Sequence, residues 1–222
     1  MIPGEDACCI LLYGDIGEYS DVTAAAIVRE LMEAEASGKR IDVRINSNGG
    51  DVYTGIAIFN ALRGSKADIH IYVDGIAASM ASVIALCGKP VEMSKYARLM
   101  LHSVSGGCYG NKTELRRCLE EVEALENTLC EMYAPKLGTS VEDIRARYFD
   151  DADHWLKADE ALALGFIDGV YDADPVPEDS TPEQVYCIFN NRLEQPLNDT
   201  QMNLEEVKKR PRFKDCATDS EG

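Results

Sequence analysis

The chain has 222 residues, of which 45% are apolar and 27% are charged, so it is long enough to bury the core of one α/β domain without disulfide or metal support. Its formal net charge of −17 argues against nucleic acid or an anionic membrane surface as the main partner, because both attract a basic face.

Neither the apolar stretches nor the eight cysteines indicate a membrane span or a metal site. No apolar run is long enough to cross a bilayer, and the cysteines lack metal-ligand spacing. The start, MIPGEDACC, lacks the basic and long apolar regions of a signal peptide. We therefore expect a cytoplasmic protein with free thiols and with no metal or cofactor.

The first half of the chain alternates strand and helix patterns. Residues 8–13 (CCILLY) are a short apolar run that predicts a buried strand. The pair Ser20 and Asp21 is expected to cap a helix that Gly38 ends. Apolar residues then alternate at 41–45, which is the period of a second strand.

The alternation continues after a turn of sequence NSNGG at residues 46–50. A second amphipathic helix follows and ends at Gly64. Alternating apolar residues at 69–73 predict a third strand, which Gly75 is expected to break. Residues 77–86 are small and apolar, which predicts a buried helix.

A further strand at residues 99–101 completes a β-α-β-α-β-α-β order. This order predicts a mostly parallel sheet with helices packed on it. Ligand sites in such sheets lie beyond the carboxyl ends of the strands. The turn at 46–50, the turn at 75–79 and His102 each follow a strand in this way, so we expect the functional residues there.

Two segments complete the chain. Residues 112–133 carry apolar side chains every three or four positions, a pattern typical both of a packed helix and of a subunit interface. The folded pattern ends at Tyr171, and residues 172–184 (DADPVPEDSTPEQ) are acidic and rich in proline. We therefore divide the chain into a folded domain, 1–171, and a polar tail, 172–222, that we expect to be poorly ordered.

Ser79 is the candidate nucleophile. It lies in GIAASMAS, directly after a predicted strand and at the start of a predicted helix. Such a turn exposes the hydroxyl, and the amino end of the helix offers backbone N–H groups to a developing oxyanion. Small residues in this pattern are also typical of a helix that packs tightly on a sheet, so the motif alone leaves both readings open.

His102 is the best candidate for a general base. It ends the apolar run at 99–101, and an imidazole titrates near neutrality, which suits proton transfer. The other two histidines are less suited, because His70 lies inside a predicted strand and His154 adjoins Trp155 in what we interpret as local packing.

The remaining parts of a hydrolytic site are also present. The two glycines of the NSNGG turn allow the backbone to approach a peptide and to point an N–H at its carbonyl. An imidazole base needs a carboxylate that orients it. The segment YFDDADHW offers three, which are Asp150, Asp151 and Asp153.

These segments together resemble the proteolytic subunit of the Clp protease (ClpP), and more narrowly its phage and prophage relatives. The resemblance runs from about residue 8 to residue 171. It implies a ClpP/crotonase-like α/β fold, with a mostly parallel sheet, flanking helices and a long handle helix at 112–133. The shared stretches are INSNGGDVYTG (45–55), GIAASMAS (75–82), LMLHSVSGG (99–107) and WLKADEALALGFID (155–168).

The resemblance implies a role for each candidate. Ser79 is expected to be the nucleophile and His102 the base, with oxyanion-hole N–H groups from Gly50 and Met80.

The family's aspartate lies a few residues before the stretch that begins at Trp155 here. We favour Asp150, with Asp151 as the alternative, and expect Asp153 to be structural because it lies so close to Trp155.

The resemblance also implies partners. Family members cleave polypeptides and stack in two homo-oligomeric rings, commonly of seven subunits, with handle helices between the rings. Only seven residues precede Cys8, whereas housekeeping members carry a longer segment that docks an ATPase, so the ATPase partner stays open. Asn48 replaces the usual proline of the turn, and the tail has no counterpart. We therefore favour a phage-maturation endopeptidase that cuts capsid or scaffold proteins; the alternatives are a crotonase-like acyl-CoA enzyme and a catalytically silent capsid component.

Overall fold

The computed structural model describes residues 1–3 and 7–171. The polar tail predicted at 172–222 lies outside the described residues. No helix in the described ranges combines the length and apolar character that a bilayer crossing requires.

The described residues form eight strands and six helices. The strands are β1 (Ile2–Pro3), β2 (Ala7–Tyr13), β3 (Arg40–Ser47), β4 (Ile69–Ala78), β5 (Val91–Ser94), β6 (Arg98–Leu101), β7 (His154–Lys157) and β8 (Gly169–Tyr171). The helices are α1 (Ala24–Ser37), α2 (Val52–Gly64), α3 (Met80–Ala85), α4 (Lys112–Leu137), α5 (Val141–Tyr148) and α6 (Ala158–Ala163).

The sheet is mostly parallel, which confirms the predicted fold class. Strands β2, β3, β4, β5 and β8 lie side by side in that order and are parallel, while β1 pairs antiparallel with β2. Strand β4 has two parallel neighbours on one side, with β5 along its first half and β6 along its end. Strand β7 pairs antiparallel with β6.

The alternating residues of the central strands account for the core. Ile41, Val43 and Ile45 of β3 are fully buried, and Ile71 and Val73 of β4 lie beside them. Side chains of α1 and α2 pack against the same cluster. Each such side chain stabilises the fold by about 1.5–3 kcal/mol through removal of apolar surface from water. This core holds the carboxyl ends of β3 and β4 in fixed positions.

The start of α1 differs from the sequence expectation. Thr23 caps the helix, because its side-chain oxygen accepts a hydrogen bond from the N–H of Ala26. Asp21 instead accepts the N–H of Asp15, in a loop that closes before the helix begins. The expected cap at Ser20 and Asp21 is therefore wrong, whereas the end at Gly38, in the left-handed region at φ +68°, is as expected.

Gly75 does not break β4, which continues to Ala78. A Cβ at Gly75 would lie 2.6 Å from the side-chain oxygen of Asn46, so the glycine leaves room for the neighbouring turn. Because residues 77 and 78 belong to the strand, the helix expected at 77–86 begins only at Met80.

The long helix α4 extends beyond its predicted end and has two different halves. Asn111 and Glu114 form a reciprocal capping box at its start. Its carboxyl-terminal half is buried in the core through Leu129 and Tyr133, whereas Leu119 in the first half is 59% exposed. The amphipathic pattern thus reflects core packing only in the second half of the helix.

Candidate active site

Ser79 lies at the junction of β4 and α3. Its backbone has φ +52° and ψ −125°, a conformation that costs a non-glycine residue roughly 1–3 kcal/mol and persists only where surrounding structure holds it. The N–H of Ser79 donates to the carbonyl of Met100 at 2.9 Å, which ties this turn to β6. The Ser79 hydroxyl does not cap the helix, so it is available to other groups.

His102 follows the last residue of β6 and meets that hydroxyl. Ala78 is paired with Met100 in the ladder between β4 and β6, so the residues that leave the two strands stay close. The Nε2 atom of His102 lies 2.8 Å from Oγ of Ser79. With the ring proton on Nδ1, Nε2 accepts the serine proton, which is the arrangement a general base requires.

Asp153 is the carboxylate that the structure brings to His102. Its Oδ1 lies 3.6 Å from Nδ1 of His102. The antiparallel ladder pairs Leu101 with His154, so the residue after Leu101 faces the residue before His154. The distance exceeds that of an ordinary N–H···O hydrogen bond, and the Asp153 side chain is 58% exposed.

The two favoured aspartates lie elsewhere. Asp150 contacts Nε2 of His154 at 2.7 Å, and this hydrogen bond lowers the pKa of Asp150. Asp151 has φ +66°, and its N–H donates to the Ser103 hydroxyl at 3.0 Å. The expected position of Asp150 or Asp151 beside His102 is therefore corrected to Asp153, because the Asp150 carboxylate contacts His154 and the Asp153 carboxylate is the one that lies near Nδ1 of His102.

One feature of the sequence could have identified Asp153. The short segment His154–Lys157 pairs with Arg98–Leu101, and recognition of that strand pair would have placed Asp153 opposite His102. With four residues, this strand carries too few alternations to be recognised alone.

The NSNGG turn passes directly over the nucleophile. Gly49 has φ +97°, and a Cβ there would lie 2.8 Å from Cβ of Ser79 and 2.9 Å from N of Met80. Only glycine permits this approach. Met80 is the first residue of α3, so its N–H belongs to the first turn, whose donors have no partner within the helix.

Gly50 forms an isolated β-bridge with Ile16, and the backbone N–H of Gly50 takes no part in it. Ile16 donates to the carbonyl of Gly49 at 2.9 Å and accepts the N–H of Asp51 at 2.8 Å. This pattern engages the residues on either side of Gly50 and leaves its own N–H outside the bridge. Gly50 directly follows Gly49, the residue whose backbone approaches Ser79 and Met80, so Gly50 and Met80 stay the expected donors.

A small pocket with both apolar and polar lining residues adjoins Ser79 and His102. Its lining residues come from α2, α3, the segment after β6, α4 and the residue that follows α5. Such a lining accepts an apolar side chain next to the nucleophile. Its side chains include Val52, Val83, Val104, Leu129, Tyr133 and Phe149.

Comparison with known proteins decides the family. The family model described as Clp protease matches residues 7–174 of the chain. The chain belongs to the Clp protease family. This membership confirms the resemblance inferred from the motifs and the class of enzyme that it implied, a Clp-type serine peptidase.

Two curated relatives illustrate the similarity. The ATP-dependent Clp protease proteolytic subunit of Bacteroides fragilis is 32% identical over 157 residues, which cover 69% of this chain and 75% of the relative. The ATP-dependent Clp protease proteolytic subunit 1 of Prochlorococcus marinus subsp. pastoris is 35% identical over 158 residues, which cover 69% of this chain and 80% of the relative. The similarity thus extends over most of the folded domain of the Clp family member described here.

Proposed function

We propose that the protein is an endopeptidase that hydrolyses peptide bonds through an acyl-enzyme on Ser79, with His102 as general base and Asp153 as the carboxylate that orients it. The observation that carries this proposal is the 2.8 Å contact between Oγ of Ser79 and Nε2 of His102 at the amino end of a helix. The Clp protease match over residues 7–174 supports the same chemistry.

In the acylation step, Nε2 of His102 takes the Ser79 proton while Oγ attacks the peptide carbonyl. The N–H groups of Gly50 and Met80 donate to the oxyanion that forms. The imidazolium then donates its proton to the leaving amine, and the C–N bond breaks. A water molecule, deprotonated by the same imidazole, cleaves the acyl-enzyme and restores the Ser79 hydroxyl.

Asp153 completes this cycle by accepting the Nδ1–H of His102 and by stabilising the imidazolium. Its distance of 3.6 Å is compatible with that role, because catalytic hydrogen bonds are often long before substrate binds and shorten in the reacting complex.

The pocket beside Ser79 predicts the cleavage preference. We expect an apolar residue on the amino side of the scissile bond to enter this pocket, whose lining includes Val83 and Leu129. A set of peptides that differ only at this position should be cleaved fastest with a medium-sized apolar side chain and slowest with a carboxylate.

A fluorophosphonate probe tests the proposal directly. We expect one adduct per chain, on Ser79, and none in Ser79→Ala. Ser65→Ala is a matched control and should label like the wild type. Ser65 caps the carboxyl end of α2, whereas the NSNGG turn and Asp51 lie at the amino end of that helix. Labelling of the wild type at some other residue, with Ser79→Ala equally active, would contradict the proposal.

We also propose that the protein acts as a homo-oligomeric ring assembly that uses the first half of α4. Leu115 and Leu119 are 49% and 59% exposed, and apolar side chains at this spacing are typical of a helix that packs against a partner. Native mass measurement should give a ring-sized species for the wild type, and Leu119→Asp should give smaller species with an intact fold.

For the substrate we propose capsid or scaffold proteins, the class that the resemblance to phage relatives implies. Asn48 in the turn, where the family usually has proline, supports this subtype. Digestion of a purified scaffold protein without ATP or an unfoldase would support it. Cleavage that depends strictly on an added ATPase would instead favour a general degradative role.

The crotonase-like alternative makes a different prediction. Such an enzyme needs backbone N–H donors but no serine nucleophile, so the contact between Ser79 and His102 favours the peptidase. Binding of an acyl-CoA, with no reaction at Ser79, would favour the alternative.

A further inference from the structure

A buried pair of hydroxyl groups lies behind the nucleophile. Ser82 is fully buried and Tyr133, on α4, is 2% exposed. Oγ of Ser82 lies 2.6 Å from the carbonyl oxygen of Ser79 and 2.6 Å from the hydroxyl oxygen of Tyr133. The carbonyl can only accept, so Ser82 donates to it, and Tyr133 in turn donates to Ser82. A hydrogen-bonded chain therefore runs from α4 to the backbone of Ser79.

The carbonyl that receives this chain belongs to the same planar peptide unit as the N–H of Met80. In a trans peptide the C=O and the following N–H point in opposite directions and cannot rotate independently. A hydrogen bond that fixes the Ser79 carbonyl therefore also fixes the direction of the Met80 N–H. That N–H is one of the two donors assigned above to the oxyanion.

The position needs such support. Ser79 adopts φ +52°, which an isolated serine rarely adopts. The N–H groups of Ser82 and Val83 reach the same carbonyl at 3.0 Å and 3.4 Å, as expected for the start of a short helix. The side-chain hydroxyl of Ser82 adds a shorter hydrogen bond from outside the helical ladder. Burial raises the pKa of Tyr133, which keeps its phenol protonated as a donor at neutral pH.

We propose that Ser82 and Tyr133 are positioning residues that aim the Met80 N–H at the oxyanion by holding the opposite end of its peptide plane. The inference rests on the proposed peptidase function. It predicts that the hydrogen bond between the two hydroxyls contributes to the transition state and not to ground-state binding of the peptide, because the oxyanion forms only during the reaction. The Tyr133 ring, which lines the pocket, is kept in Tyr133→Phe.

The test compares Ser82→Ala and Tyr133→Phe with the wild type in the assembled protein. Loss of an oxyanion donor costs about 10²–10³-fold in kcat, and misdirection of a donor should cost less. For Ser82→Ala we expect kcat to fall by roughly 10–100-fold with KM unchanged. For Tyr133→Phe, where Ser82 can still donate, we expect a fall of about 3–10-fold.

The double variant and a matched control sharpen the test. Tyr133 acts through Ser82, so Ser82→Ala combined with Tyr133→Phe should be no slower than Ser82→Ala alone. Tyr171→Phe removes another hydrogen-bonded phenol, one that donates to Asp74, and should leave kcat within about 2-fold of wild type.

A second measurement separates positioning from general loss of structure. Affinity for a peptide boronate, which forms a tetrahedral adduct on Ser79, should fall in parallel with kcat, while affinity for a non-cleavable peptide stays the same. Unchanged kcat in Ser82→Ala, or a rise in KM alone, would overturn the inference. Tyr133→Phe, which keeps the ring, decides the matter if Ser82→Ala does not assemble. Absence of any wild-type adduct on Ser79 would instead refute the underlying function.

Discussion

Two of the histidine–aspartate pairs in the described residues take their aspartates from one short segment, and they differ in an instructive way. His154 and Asp150 are in close contact, at 2.7 Å, whereas His102 and Asp153 are 3.6 Å apart. Yet the looser pair is the one whose other ring nitrogen meets a serine hydroxyl. The tightness of a histidine–carboxylate contact therefore does not identify a catalytic pair. The group that contacts the other ring nitrogen identifies it.

The largest expected difference between the pairs concerns the imidazoles. His102→Ala should lower peptidase activity by about 10⁴-fold or more, and as much as Ser79→Ala, because members of such a triad act as a unit. His154→Ala should have a much smaller effect on the rate, because the His154 ring contacts Asp150 and Tyr148 and does not contact Ser79. The measurement is the acylation rate with a fluorogenic peptide or an activity probe. Equal losses in the two variants would remove the distinction drawn here.

The two aspartate variants should differ in activity in the same direction as the two histidine variants, but by a smaller factor. Asp153→Asn should slow acylation by roughly 10²–10⁴-fold, because the amide no longer stabilises the imidazolium or holds its tautomer. Asp150→Asn should leave the rate within about 3-fold of wild type. This pair of variants tests the choice between Asp150, which the sequence favoured, and Asp153, which lies beside His102. A large loss in Asp150→Asn with little loss in Asp153→Asn would restore Asp150 to the site.

The smallest expected effect is on stability and concerns the pair of Asp150 and His154. The hydrogen bond from His154 lowers the pKa of Asp150 below its ordinary 3.8. A carboxylate whose folded-state pKa is depressed stabilises the fold above its unfolded pKa, and this stabilisation is lost as the pH falls through the folded value. Wild type should therefore exceed Asp150→Asn slightly in denaturation midpoint at pH 6, and the difference should vanish near pH 2. A difference that grows on acidification would contradict the assignment.

The alternating framework was predictable because its longer strands and helices repeat their pattern. Residues 41–45 and 69–73 show two full alternations of buried apolar side chains, and glycines bound the helices. The strands β5, β7 and β8 have four residues or fewer and lack the continuous apolar run that marks the equally short β6, so their sequences do not predict them. The cap of α1 was missed because Asp21 accepts the N–H of Asp15 within the preceding loop, which leaves Thr23 to cap the helix.

The candidate site divides in the same way. Ser79 and His102 follow recognisable strands, and the rule that places sites at the ends of parallel strands was enough to bring them together. Asp153 depends on an antiparallel register between β6 and β7, which no local pattern reveals. The contact of Ser82 with Tyr133 joins residues 51 positions apart, on helices whose sequences give no sign that they touch.

The position of β6 between β4 and β7 has a consequence for how this site can evolve. Ser79, His102 and Asp153 lie at the ends of β4, β6 and β7, which are hydrogen-bonded neighbours. The spacing of the three side chains is therefore set by the interstrand distance of about 4.8 Å and not by the length of chain between them. The exposed segment at 105–110 can therefore gain or lose residues without displacing the serine, the imidazole or the carboxylate. Changes in the length of this loop would therefore leave the catalytic chemistry unchanged, while they would alter which substrates reach the site.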